Sequence, residues 1–324
     1  MLRERRGASA DTGRERIATA RKRSELLIIP LSNHMISRTM PDELSYDAID
    51  TSKQYGPYYY PLADRGARYL EAIENSHEWH HRRSPAGPPV APPTLLGLIG
   101  MRFLDDVGPV PPGTVHGRQE IEVRNAIRLD RRPVLYGQFV DKSEKNGRKR
   151  FTFEARCRDE TGLLLGVTRV TMVFPAEGAG GGKAAERPER GKNELSAVVH
   201  ELTQDKMTAY AEDSANHLRG KSIHTQEDVA KAAGFPTTVA NGLMAFDYIG
   251  EMMERELGRP WYEFSTLSVV FPAPPLRGQT LTTGGRLAEE GPEGAAIRRV
   301  YEVWCENDAG ETVAVGKATA LVDR

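Results

Sequence analysis

The chain has 324 residues, enough for about two domains at the usual ~100–200 residues each. Hydrophobic residues at 39% supply packed cores, and 44 basic against 45 acidic residues leave a net charge of -1, which argues against a nucleic-acid or charged-membrane binder. No apolar run approaches the ~18 residues a membrane span requires, and two cysteines, Cys157 and Cys305, are too few for a disulfide framework, so a reducing, cytoplasmic setting is expected.

In chain order, residues 1–26 are Arg-rich but interspersed with Glu4, Asp11, Glu15 and Glu25 and lack a secretory apolar core. They read as a disordered basic tail. Residues 27–174 form a first folded half. Its aromatic cluster Tyr55-Gly-Pro-Tyr58-Tyr59-Tyr60 is expected to cover a hydrophobic edge. His77-Glu78-Trp79-His80-His81 puts two imidazoles on one helix face, but the sequence shows no third ligand at a convincing spacing, so no metal is expected. After Val90-Ala91-Pro92-Pro93-Thr94-Leu95-Leu96 comes an apolar helical stretch, then strands near 115–124, 133–143, 149–159 and 163–174, with Lys145-Asn146-Gly147 as a hairpin turn. Residues 175–193, rich in Gly, Pro and charge, read as a flexible linker. The lysine there, Lys183, has no following Ser or Thr and is no phosphate loop. The second half, 194–324, contains a helix over 242–257, with Leu243, Phe246, Ile249, Met253 and Leu257 at helical spacing and Gly258 and Pro260 closing it. Strands follow near 264–271, 279–288, 296–306 and 312–322.

The two halves repeat one another at a period near 148. Arg156–Phe174 aligns without gaps on Trp304–Val322, matching Cys157 with Cys305, Asp159 with Asn307, Gly162 with Gly310 and Thr171 with Thr319. Upstream, the Val90 segment occupies the place of Val239-Ala240-Asn241-Gly242-Leu243-Met244. A long apolar helix followed by an antiparallel meander, twice over, implies two curved sheets, each wrapped around a central helix and packed as a pseudo-dimer.

The most informative stretch is Ile223–Met244, IHTQEDVAKAAGFPTTVANGLM. Its Ile-His-Thr step, Ala230-x-x-Ala233-Gly234-Phe235-Pro236 and Val239–Met244 resemble the MaoC-like hydratases and dehydratases. Ala91–Thr94 and Val115–Glu120 resemble the first half of fused members. The resemblance spans residues 65–324 and implies an α+β tandem (double) hot-dog fold. It also implies hydration of 2-enoyl thioesters, or the reverse dehydration of 3-hydroxyacyl thioesters, in the (R)-specific sense. His224 then matches the catalytic histidine, and Gly242 the glycine whose backbone N–H binds the thioester oxygen. The His77 segment becomes a degenerate partner site, with Glu74, Asn75 and His77 as remnants, leaving one site in the second half.

The chemistry suits those residues. Removing an α-proton from a thioester develops charge on its oxygen. A backbone N–H at a helix N-terminus is preorganised for that charge, and histidine titrates near neutrality. The family carries an aspartate five residues before the histidine and an asparagine three before it; here Arg219 and Lys221 stand there. Asp213 and Asn216, ahead of an inserted Leu218–Ser222, are the candidates for the missing roles. Asn241 replaces a family histidine and either bonds substrate or caps the helix. Ser222 and Phe235 line the expected substrate site, and Arg219 and Lys221 are candidates for coenzyme A phosphates. No cofactor is expected beyond a coenzyme A or carrier-protein thioester, and the only partner expected is that small molecule, with a homodimer left open. Two alternatives stand beside the hydro-lyase: an isomerase or cyclase acting on a bulky polyketide-like substrate, and a non-catalytic acyl-binding subunit.

Overall fold

The computed structural model describes residues 41–175 and 194–323. The tail read over 1–26, and the linker apart from Pro175, lie outside the described residues. The first half contains β1 (Gln54–Tyr59), α1 (Leu62–Ile73), α2 (Glu78–His81), β2 (Val90–Ala91), α3 (Leu95–Val107), β3 (Val115–Val123), β4 (Ile127–Arg128), β5 (Pro133–Lys145), β6 (Arg148–Asp159) and β7 (Leu164–Val173). The second contains β8 (Val199–Glu201), α4 (Gln204–Ala211), α5 (Ala215–Leu218), α6 (Glu227–Ala232), α7 (Gly242–Leu257), α8 (Arg259–Tyr262), β9 (Ser265–Val270), β10 (Thr280–Glu293), β11 (Ala296–Glu306) and β12 (Thr312–Val322).

Ten strands form one antiparallel sheet in the order β1-β5-β6-β7-β3-β9-β12-β11-β10-β8. Read outward from the β3–β9 seam, both halves have the same order of strands, a pseudo-two-fold arrangement. Alternation explains which way each strand faces. In β6, Phe151, Phe153, Ala155 and Cys157 point inward and are buried, while the residues between them reach solvent. Phe139, Phe151 and Phe153 meet edge to face at centroid distances of 5.1 to 5.4 Å, each contributing about 1.5–3 kcal/mol by burial. At the β12–β9 pair, a Cβ on Gly316 would lie 1.9 Å from the Ser268 carbonyl oxygen, so only glycine permits that approach.

The duplicated hairpins have the same turn chemistry. Asp159 Oδ1 accepts from the amides of Thr161 and Leu163; Asn307 Oδ1 accepts from those of Ala309 and Glu311. Gly162 and Gly310 take positive φ, at 90° and 75°. The turn joining β5 to β6 is Asn146-Gly147, both with positive φ, as a type I′ hairpin demands.

Helix α3 packs on β3, β5, β6 and β7, and α7 on β10, β11 and β12, so each half's sheet curves around its own long helix. Helix α7 has the expected bounds. Asn241 caps it, its Oδ1 accepting from Leu243 N at 3.0 Å, and Gly258 ends it at φ 58°. Its apolar stripe faces the sheet. A second stripe, Asp247, Glu251 and Glu254, is equally buried at 1 to 3% exposure. These carboxylates meet a polar layer: Asp247 takes the hydroxyls of Tyr69 and Tyr210, Glu251 contacts His200 and Arg255, and Glu254 takes the Asn75 amide.

Some elements differ from the sequence expectation. Tyr55, Tyr58 and Tyr59 of the aromatic cluster lie in an edge strand, β1, which tolerates Pro57 because an edge needs fewer ladder bonds. Its Tyr55 and Tyr58 pack on Phe139 and Phe103. Strand β10 runs on to Glu293 through Gly291 and Pro292, paired with β11 from Thr282 onward with a register shift between Leu287 and Glu289. Among the described residues no helix is long and apolar enough to cross a membrane.

Candidate active site

The approach to α7 holds His224. Its Nδ1 lies 2.7 Å from the Val239 carbonyl, which can only accept, so Nδ1 carries the proton and Nε2 presents a lone pair. Burial lowers the His224 pKa below the ordinary imidazole value; the Arg102 charge pushes the same way and the Val239 carbonyl opposes. The ring is therefore neutral at neutral pH. Ser222 Oγ accepts the His224 amide at 3.2 Å and Gln204 Nε2 donates to the His224 carbonyl at 3.1 Å, fixing the backbone beneath the ring.

Gly242 is the first residue of α7, where an amide has no carbonyl within the helix to bond. A Cβ there would lie 3.1 Å from the Phe271 ring, so it is this ring that crowds the position. Asn241 is engaged as the helix cap.

The other residues singled out in the sequence lie as follows. Asp213 Oδ1 accepts from Arg102 Nε at 2.5 Å, and Arg102 also donates to the Tyr210 carbonyl at 2.9 Å. Arg102 is 4% exposed, so its charge needs that partner. Asp213 is thus engaged by Arg102 through Oδ1. Asn216 Oδ1 is buried with no hydrogen-bond partner. Arg219 donates to the Pro41 carbonyl, and both Arg219 and Lys221 pair with Glu43. Phe235 is half-buried, its amide bonded to Ala230 O at 3.0 Å.

The first half repeats the histidine geometry. His80 Nδ1 lies 2.7 Å from the Val90 carbonyl, just ahead of α3, as His224 does from Val239 ahead of α7. The residues standing near the two rings differ. His224 senses the positive Arg102 of α3, whereas His80 faces the carboxylate of Glu254 on α7 at 3.3 Å. A cavity of about 580 Å³ reaches Asn75, Ser76, His80 and His81 from along α1. Sequence reasoning missed Arg102, Asp247 and Glu254. The available signal was a lone arginine in an apolar helix, and carboxylates at i, i+4 and i+7 in another.

Comparison with curated protein sequences gives no match. Residues 188–298 match the model of the MaoC like domain. Among solved structures, the MaoC-like dehydratase of Phytophthora capsici aligns with a TM-score of 0.64 at 15% identity, over 86% of this chain and 98% of that one. A Mycobacterium tuberculosis protein described as having a double hotdog fold gives 0.58 at 11% identity, over 86% and 98%. The peroxisomal multifunctional enzyme type 2 of Drosophila melanogaster gives 0.61 at 18% identity, over 83% of this chain and 48% of that one. At such identities these likenesses speak for the fold, and the family model for the half that contains His224. The chain has a double hot-dog fold, and residues 188–298 of its second half match the MaoC like domain.

Proposed function

We propose that the protein is a hydro-lyase acting on a 2-enoyl or 3-hydroxyacyl thioester, with His224 as the base and the Gly242 amide as oxyanion donor. The observation that carries this reading is the 2.7 Å bond from His224 Nδ1 to Val239 O, which leaves Nε2 as the basic nitrogen at the approach to α7. In the dehydrating direction Nε2 takes the α-proton, and negative charge develops on the thioester oxygen against the Gly242 amide. Loss of one such donor costs about 10²–10³ in rate. The Cβ–O bond then breaks, the proton on Nε2 passes to the departing hydroxyl, and water and the enoyl thioester result. One imidazole serves as base and then acid, so the step needs no second carboxylate. That accords with Asp213 being held by Arg102.

The same commitment of Asp213 favours a second reading, an isomerase in which His224 moves a proton within an acyl thioester without loss of hydroxide. Following the absorbance of the conjugated bond of crotonyl and longer enoyl thioesters separates the two. Hydration bleaches it, and His224→Ala is expected to lower the rate by about 10²–10⁴. Turnover that shifts the double bond without consuming water favours the isomerase. Absence of turnover at every chain length, with ligand binding unchanged in His224→Ala, overturns both.

A further inference from the structure

We propose that His77, His80 and Glu254 form a divalent transition-metal site of the zinc class, in the first half and separate from the His224 motif. The third ligand, which the sequence around His77 lacks, comes from α7 of the other half. One ligand atom from each of His77, His80 and Glu254 lies within 4.8 Å of the others. Glu254 Oε1 is 3.3 Å from His80 Nε2 and 3.6 Å from His77 Nδ1.

The argument rests on lone pairs. His80 donates its Nδ1 proton to Val90 O, so Nε2 presents a lone pair. His77 Nδ1 accepts the Trp79 amide at 3.3 Å, so it also carries one. Glu254 Oε1 presents acceptors only. His80 Nε2 and Glu254 Oε1 are both buried with no hydrogen-bond partner, in side chains exposed to 0% and 1%. Converging, desolvated acceptors repel unless a cation lies among them. A proton bridges two such atoms; a metal ion bridges three.

The surroundings are those of a ligand set held in place. His80 is oriented through its other ring nitrogen by a backbone carbonyl, and Glu254 through Oε2 by the Asn75 amide at 2.9 Å. Such outer bonds fix the tautomer and direction of metal ligands. Two imidazole nitrogens and one carboxylate oxygen suit Zn²⁺, and three protein ligands leave a fourth position for water or a ligand oxygen. A cavity of about 580 Å³ lies beside the site, lined by Asn75, His80 and His81. Binding requires the long Trp79–His77 bond to give way, which makes His77 the weakest of the three ligands.

The test uses the full-length protein, stripped with a chelator and titrated with Zn²⁺ alone, then with Co²⁺ as a visible probe. One equivalent per chain is expected, with Co²⁺ bands of a four-coordinate site and a rise in unfolding temperature on adding Zn²⁺. His80→Ala and Glu254→Gln should abolish the bands and weaken Zn²⁺ binding at least tenfold. His77→Ala should weaken it less, Asn75→Ala by about tenfold, and His81→Ala not at all. If His80→Ala fails to fold, His77→Ala and Asn75→Ala carry the same comparison. The site is overturned if the wild type binds no stoichiometric Zn²⁺, or if binding is the same in Glu254→Gln. Imidazole resonances showing a proton shared by His80 and Glu254, unmoved by Zn²⁺, overturn it equally.

Discussion

His80 and His224 make the same hydrogen bond, each from Nδ1 to the carbonyl of a valine, Val90 or Val239, at 2.7 Å. The fold thus holds two imidazoles with the same tautomer ahead of two central helices, and separates them by charge. Glu254 stands against His80, and the Arg102 charge acts on His224. A neutral His224 is suited to accept a proton. An imidazole facing a carboxylate is suited to bind a cation.

Arg102 is expected to matter first for stability. It is buried with Asp213 at 2.5 Å and Asp105 at 3.9 Å. Arg102→Met leaves these carboxylates without their partner, and removal of one member of a buried pair costs about 3–5 kcal/mol. Arg102→Met/Asp213→Asn should recover a large share of that loss. Denaturant melts of the two single variants and the double variant measure the coupling, and simple additivity would contradict it. In the two variants that lack Arg102, Arg102→Met and the double variant, the His224 pKa should rise on NMR titration, because one of the causes that depress it is gone.

Asp247 gives a pH dependence with a definite sign. Burial raises its pKa to about 6, against the Tyr210, Thr94 and Tyr69 hydrogen bonds that lower it. Between about pH 4 and 6 the folded state therefore holds a proton that the unfolded chain has released. The stability this contributes is full below the unfolded pKa of about 3.9 and is lost as pH rises through the folded value. The loss amounts to roughly 3 kcal/mol at most. Asp247→Asn cannot titrate, so its stability relative to wild type should climb by about 2–3 kcal/mol from pH 4 to pH 7 in urea melts. Parallel pH profiles would show instead that Asp247 ionises normally.

Helix α7 was readable to the residue because its cap, apolar spacing and closing glycine all agree locally. The duplicated hairpins were readable for the same reason. Other elements carry weaker local signals. Helix α1 has Leu62, Tyr69, Leu70 and Ile73 on one buried face, but Asp64, Arg65, Gly66 and Arg68 interrupt its apolar pattern. The partners of Asp213 and Glu254 are a different matter. Asp213 turns to Arg102, and Glu254 to Asn75 and His80, across the junction of the two halves. Local spacing carries no information about which buried charge a loop carboxylate meets. Only the tertiary layer of α1 and α4 over α7 decides it.

The repeat itself makes a quantitative prediction. Gly162 and Gly310 occupy equivalent turns at φ 90° and 75°, and a Cβ added at either meets no atom within 4 Å. Their substitution by alanine therefore has no steric cost against neighbours, only the cost of a left-handed backbone for a residue with a side chain. That cost is about 1–2 kcal/mol. Gly162→Ala and Gly310→Ala should each lower stability by a similar amount within that range. Because the two turns share no hydrogen-bond partner, the double variant should show the sum. Gly87 and Gly234 also have positive φ and an open Cβ position, so alanine there should cost about the same and serve as a reference. A cost at Gly162 well above that at Gly310 would mean that the two hairpins, alike in sequence and hydrogen bonding, bear unequal load in the fold.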